Sequence, residues 1–162
     1  MFKRILVPTD GFGLEDHVIR YSARVFPFAK FYVLSVINVK QRGVHLTTLL
    51  TRMMEESAKK AVDHAEKLLL EEGITVEHKD IAKGIPSKVI LEWVEKYNID
   101  LIVMRSYAHH GVQSMRLGTT IENTLKRTRV PVLIMSTPAE GRPPEKILLP
   151  TDGTRGSQNA EN

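Results

Sequence analysis

The chain has 162 residues, 42% hydrophobic and 26% charged, with no cysteine and a formal net charge of +4. That is room for one ordinary domain, or a domain and a fragment, with a core of useful size, and it excludes disulfides, thiolate metal sites and a cysteine nucleophile. The basic balance does not point to nucleic acid, because Lys and Arg alternate with acids, as in Glu55-Glu56-Ser57-Ala58-Lys59-Lys60, the pattern of a solvated helix face, and no aromatic and basic residues interleave.

Met1-Phe2-Lys3-Arg4 leads into the apolar run Ile5-Leu6-Val7, which is too short for a signal-peptide core. No stretch approaches the roughly 20 apolar residues that span a bilayer. A cytoplasmic chain without a membrane or nucleic-acid partner is expected. Ile5-Leu6-Val7 closes on Pro8-Thr9-Asp10-Gly11, a strand meeting a turn. Apolar residues over 14–25 recur at helical spacing, and 31–37 is a second strand rich in valine and aromatics. A long helix is predicted over 46–70, its apolar stripe running through Leu50, Met53, Met54, Ala58, Ala61, Val62, Ala65 and Leu69, with Gly73 as its stop.

Residues 74–81 alternate apolar and polar, which suits a strand near a sheet edge. Gly84-Ile85-Pro86 turns the chain into a helix over 86–97, with proline at the helix start, where its missing N–H costs nothing. Trp93 belongs to the core of that helix. A buried strand over 101–104 is followed by a polar loop to Gly118. Thr119-Thr120-Ile121-Glu122 has the spacing of a capping box, and 130–135 is the last strand. The alternation of strand and helix predicts a parallel sheet with helices on both faces and right-handed crossovers. Ligands in such sheets bind beyond the carboxyl ends of the strands, where the strand order reverses.

Residues 138–145 form a linker of proline, glycine and charge. Beyond it Ile5-Leu6-Val7-Pro8-Thr9-Asp10-Gly11 returns as Ile147-Leu148-Leu149-Pro150-Thr151-Asp152-Gly153, differing only between Val7 and Leu149. This reads as a domain over 1–137 and the first strand and turn of a second copy over 146–162, as in a truncated tandem repeat.

Five segments in this order resemble the universal stress protein family: Lys3 to Gly11, Gly84 to Ile90, Asp100 to Met104, Leu117-Gly118-Thr119, and Val130 to Ile134. The resemblance implies a single doubly wound five-stranded parallel sheet of order 3-2-1-4-5, of the adenine-nucleotide α-hydrolase-like α/β class. It also implies a homodimer formed through the last strand, Val130 to Met135. Nucleotide-binding members carry Gly-x2-Gly-x9-Gly-[Ser/Thr] after strand four. Here Gly118 and Thr119 keep the last pair, while Ala108 and Arg105 replace the second and first glycines. Gly111 matches a further loop glycine. Glycines let backbone N–H groups approach phosphate, and a helix start favours the anion. Arg105 either obstructs that approach or reaches the phosphates as a charged clamp.

By the same resemblance, Asp10 stands where the ribose is contacted, flanked by Pro8 and Thr9, and Val36 stands where the adenine is met. Met104 and Arg105 end the fourth strand beside the phosphate segment Gly118, Thr119 and Thr120. Asp10-Gly11 also reads as an ordinary turn, and Thr119 as a helix cap paired with Glu122. His109-His110 are adjacent on a loop without further ligands and read as solvated. No serine or cysteine elbow, HExxH or Walker A lysine occurs, so no dedicated catalysis is expected beyond slow incidental hydrolysis. The leading function is therefore a stress-response or regulatory protein holding ATP or another adenine nucleotide, with Mg as candidate companion ion. The alternative is a member that binds no nucleotide and acts through protein contacts.

Overall fold

The apolar runs over 5–7, 31–37 and 101–104 form strands buried on both sides, and the alternation of side chains within them divides the core into two layers. The computed structural model describes residues 2–10, 15–38, 48–106, 117–136 and 144–148. Their elements are β1 (Arg4–Thr9), α1 (Asp16–Val25), β2 (Lys30–Asn38), α2 (Thr48–Glu71), β3 (Val76–Gly84), α3 (Pro86–Tyr97), β4 (Leu101–Arg105), α4 (Thr119–Leu125) and β5 (Val132–Met135). Neighbouring strands all pair in parallel, in the order β3-β2-β1-β4-β5. This is the expected doubly wound α/β sheet.

On one face, Ile5 and Val7 of β1 and Phe31 and Val33 of β2 pack with Ile19 of α1 and Val62, Ala65 and Leu69 of α2. On the other, Leu6, Leu34, Ile102 and Met104 pack with Ile90 and Trp93 of α3 and Ile121 of α4. Trp93 is buried, as expected. The chain leaves β1 toward α1 on one face and leaves β4 toward α4 on the other. The neighbouring carboxyl ends of β1 and β4 thus flank the crevice typical of an open α/β sheet.

Local chemistry fixes the element ends on both edges of the sheet. The Asp100 carboxylate accepts the N–H groups of Lys3 and Arg4 at 2.9 Å each, tying the start of β1 to the start of β4. At the β3–α3 turn, a Cβ on Gly84 would stand 2.8 Å from Val89 Cγ2. Only glycine lets the strand close onto the helix there. Pro86 then takes the first helical position. The end of α2 follows expectation: the Ile74 N–H donates to the Leu69 carbonyl and the Gly73 N–H to the Leu70 carbonyl, each at 2.9 Å.

Three expectations are corrected. Met53 is 58% exposed rather than core, and Leu50 and Met54 are half-buried. The stripe of α2 engages the sheet only from Ala58 onward. The helix has 24 residues, about 36 Å, and outruns the nine residues, roughly 30 Å, of β2 beneath it. The last strand starts at Val132 rather than Val130. Pro131 lacks the N–H a ladder needs, although its carbonyl still accepts the Ile102 N–H at 3.0 Å. The third correction, the capping box, belongs to the site.

No described helix is long and apolar enough to cross a membrane. Of the linker and second copy, only residues 144–148 are described, and there Ile147 and Leu148 are exposed.

Candidate functional site

A cavity of about 310 Å³ opens at the carboxyl edge of the sheet, over the diverging ends of β1 and β4. Its volume is at the lower end of the roughly 300–1,000 Å³ usual for small-molecule sites. Pro8, Thr9 and Asp10 at the end of β1 line one side. Met104 and Arg105 at the end of β4 line the next, and Leu34 and Val36 contribute from β2. Pro86 and Ile90 of α3 close the back. Leu117, Gly118, Thr119, Thr120 and Ile121 form the rim where the chain enters α4.

All the candidate residues named from the sequence therefore share this one cavity, apart from Ala108. Ala108 lies outside the described residues, as do Gly11, His109, His110 and Gly111. The walls divide by chemistry. Leu34, Val36, Ile90, Met104 and Ile121 offer an apolar slot, and Asp10, Arg105, Thr119 and Thr120 offer polar groups around it.

Glu15 also lines the cavity and was not anticipated. It is only 6% exposed. Its carboxylate accepts the Thr9 hydroxyl and, at 3.2 Å, the Asp10 N–H. Its own carbonyl accepts the Val18 and Ile19 N–H groups at 2.8 and 3.1 Å, so it also opens α1. One residue thus locks the turn after β1 to the helix that follows. The available signal was an acidic residue at a helix start, where negative charge is favoured. Gly11 to Leu14 intervene in sequence and conceal its closeness to Thr9.

At the start of α4 the expected capping box is absent. Gly118, not Thr119, occupies the cap position, and no side chain caps the helix. The Gly118 carbonyl accepts the Glu122 N–H at 3.0 Å. This puts Thr119 one residue inside the helix, where its hydroxyl no longer meets the orphan donors. Gly118 has φ +90° and ψ +143°, a conformation essentially reserved for glycine. The turn thus leaves the first backbone N–H groups of α4 without a side-chain cap at the cavity rim.

Arg105 ends β4 and pairs in register with Met135 of β5. Among the described residues Asn98 is the only non-glycine with positive φ. Arginine at this position therefore strains no backbone. Its guanidinium Nε and Nη1 are buried. Among the described residues, no group of three or more His, Cys, Asp or Glu gathers in a way that could hold a metal ion.

A sequence profile for the universal stress protein family matches residues 1–136. Universal stress protein MJ0531 of Methanocaldococcus jannaschii is 28% identical over 146 residues, covering 85% of this chain and 84% of that protein. The solved structure of protein MJ0577, from the same organism, superposes with a TM-score of 0.69 at 27% identity, covering 85% of this chain and 97% of the other. A universal stress protein family structure from Arabidopsis thaliana, solved with AMP bound, has a TM-score of 0.55 at 19% identity and covers 88% of this chain and 97% of its own.

Proposed function

The chain belongs to the universal stress protein family, and on that premise we propose that it is a stress-response or regulatory protein that binds an adenine nucleotide at the carboxyl edge of its sheet. The observation that carries this reading is the gathering of Pro8, Thr9, Asp10, Val36, Met104, Arg105, Gly118, Thr119 and Thr120 around one cavity. The AMP-bound relative supports the ligand class.

In this reading the apolar slot of Leu34, Val36, Ile90 and Met104 takes the adenine, since flat apolar walls with a few polar groups suit a base. Asp10, on the exposed rim, accepts hydrogen bonds from ribose hydroxyls. Glu15 holds Thr9 and Asp10 in place for this. Phosphate lies on the far side of the cavity, toward Arg105 and Gly118 to Thr120, away from the two carboxylates near β1. ATP is the first ligand to test, with and without Mg. Binding rather than turnover is the proposed role. We also propose that the protein forms a homodimer through β5.

Mass spectrometry of ligand released from freshly purified, denatured protein tests the assignment, together with titration calorimetry of ATP and AMP in Mg and in EDTA. A released adenine nucleotide, or binding in the micromolar range, is the expected result. No released nucleotide and no heat at millimolar ATP would favour the alternative, action through protein contacts alone.

A further inference from the structure

The β1 corner of the cavity is arranged to accept hydrogen bonds and not to give them. Thr9 and Glu15 both line it, and both are buried, at 7% and 6% exposure. The Thr9 hydroxyl donates to Glu15 Oε1, and the Asp10 N–H donates to the same oxygen at 3.2 Å. A hydroxyl has one hydrogen and a carboxylate has none. With that hydrogen committed to Glu15, Thr9 Oγ1 has only lone pairs to offer a ligand. Asp10 lines the same corner, and its carboxylate likewise accepts. The donors lie elsewhere around the cavity, at Arg105 and at the start of α4.

Glu15 sets this polarity. A residue unable to accept would leave the Thr9 hydrogen free to turn toward a ligand. The Glu15 carbonyl accepts the Val18 and Ile19 N–H groups at 2.8 and 3.1 Å, so its backbone is fixed where α1 begins, and burial leaves the side chain little room to turn away. The ribose of a 5′-nucleotide carries two donors, the 2′- and 3′-hydroxyls, that suit such a corner. A 3′,5′-cyclic nucleotide has lost the 3′-hydroxyl to a phosphodiester. It would bring acceptor oxygens and negative charge against Thr9 Oγ1 and two carboxylates. Acceptor facing acceptor leaves buried groups unpaired, and like charges repel more strongly away from bulk water.

We infer that Glu15, acting through Thr9 and Asp10, is a positioning residue that makes the site select nucleotides with a free 2′,3′-diol and reject 3′,5′-cyclic nucleotides. The inference rests on the nucleotide reading of the cavity and adds which ribose that cavity takes.

Titration calorimetry of AMP, 3′-deoxy-AMP and 3′,5′-cyclic AMP on the parent, Glu15→Gln and Glu15→Ala tests it. The parent is expected to bind AMP at least about tenfold more tightly than the cyclic compound, equivalent to about 1.4 kcal/mol, with 3′-deoxy-AMP between them. Glu15→Gln keeps the size of the side chain, removes one negative charge and can donate its amide to Thr9 Oγ1, which releases the Thr9 hydrogen to the ligand. Glu15→Ala releases that hydrogen by removing the acceptor. In both variants the preference for AMP over cyclic AMP should fall by about tenfold. A merely structural role would weaken all three ligands in proportion and leave that preference unchanged. The inference is overturned, with the nucleotide reading intact, if the parent binds cyclic AMP as tightly as AMP. It is overturned equally if both variants keep the parent's preference. A parent that binds none of the three compounds, nor ATP, sinks both readings.

Discussion

Arg105 stands where the nucleotide-binding pattern has glycine, and its extended backbone in register with Met135 shows that nothing there demands glycine's freedom. The position is decided by the side chain alone, and a guanidinium at a phosphate site is a strong donor. Arg105→Ala is expected to weaken ATP by about tenfold, in keeping with roughly 1.5–3 kcal/mol for a charge-assisted contact. Calorimetry reads this, and tighter ATP binding in the variant would mark the arginine as an obstruction. Gly118 is the opposite case. An added Cβ meets no atom within 4 Å, so Gly118→Ala costs only conformational strain, about 1–3 kcal/mol at φ +90°. A lower melting temperature together with weaker ATP binding is expected. Unchanged values in both would show that the turn at α4 is more tolerant than its dihedrals imply. At this scale the sequence was legible where a residue type carries its own geometry, as Gly118 and Pro86 do. It was opaque where a contact depends on how the chain returns. Glu15 reaches Thr9 only because α1 begins directly over the end of β1. Thr119 lost its capping role because a glycine one position earlier took over the cap.

Strands and helices were easier to foresee than their partners. A run buried on both faces is continuously apolar, and β1, β2 and β4 therefore stood out. β3 alternates and lies at an edge, as its pattern suggested. The overhang of α2 was hidden, because an amphipathic stripe records a face and not the length of sheet beneath it. What joins α1 to α2 was hidden too, being a set of ion pairs between residues far apart in sequence. Arg24 donates to Glu72 at 2.7 and 2.8 Å, and Arg20 reaches Glu72 at 3.0 Å and Glu71 at 2.5 Å. The Arg24 hydrogen bonds, aided by Arg20, pull the Glu72 pKa down to about 2. A carboxyl group with a lowered folded-state pKa binds fewer protons in the folded chain than in the unfolded one. Its stabilisation is present above the ordinary carboxylate range and fades as pH falls toward 2. Arg20 and Arg24 are 35% and 47% exposed, so screening limits the effect to about 1 kcal/mol, or roughly 2–4 °C in melting temperature. Glu72→Gln should show that loss at pH 7 and converge on the parent near pH 2. A difference that stays constant with pH would mean the carboxylate acts through packing rather than charge.

For the whole molecule, the sheet has two edges of different character. β3 carries an alternating, partly charged edge crossed by the Lys79 pairs to Asp63 and Glu66 of α2, features that discourage pairing with another chain. β5 carries Val132, Leu133 and Ile134, apolar and only half-buried, with no further described strand beyond it. An apolar strand at a sheet edge is a template for association, and a two-fold axis closes it with the same patch from both protomers. The proposed homodimer therefore uses β5, and it leaves the nucleotide cavity open, because none of Val132 to Met135 lines that cavity. Val132→Lys places a charge on this edge at a half-buried position. Sedimentation velocity at high micromolar concentration should give a dimer for the parent and a monomer for Val132→Lys, with ATP affinity the same in both. A parent that sediments only as monomer would remove β5 from the account of assembly. A variant that remains dimeric would move the interface to another surface, and the exposed Ile147 and Leu148 would be the next to substitute.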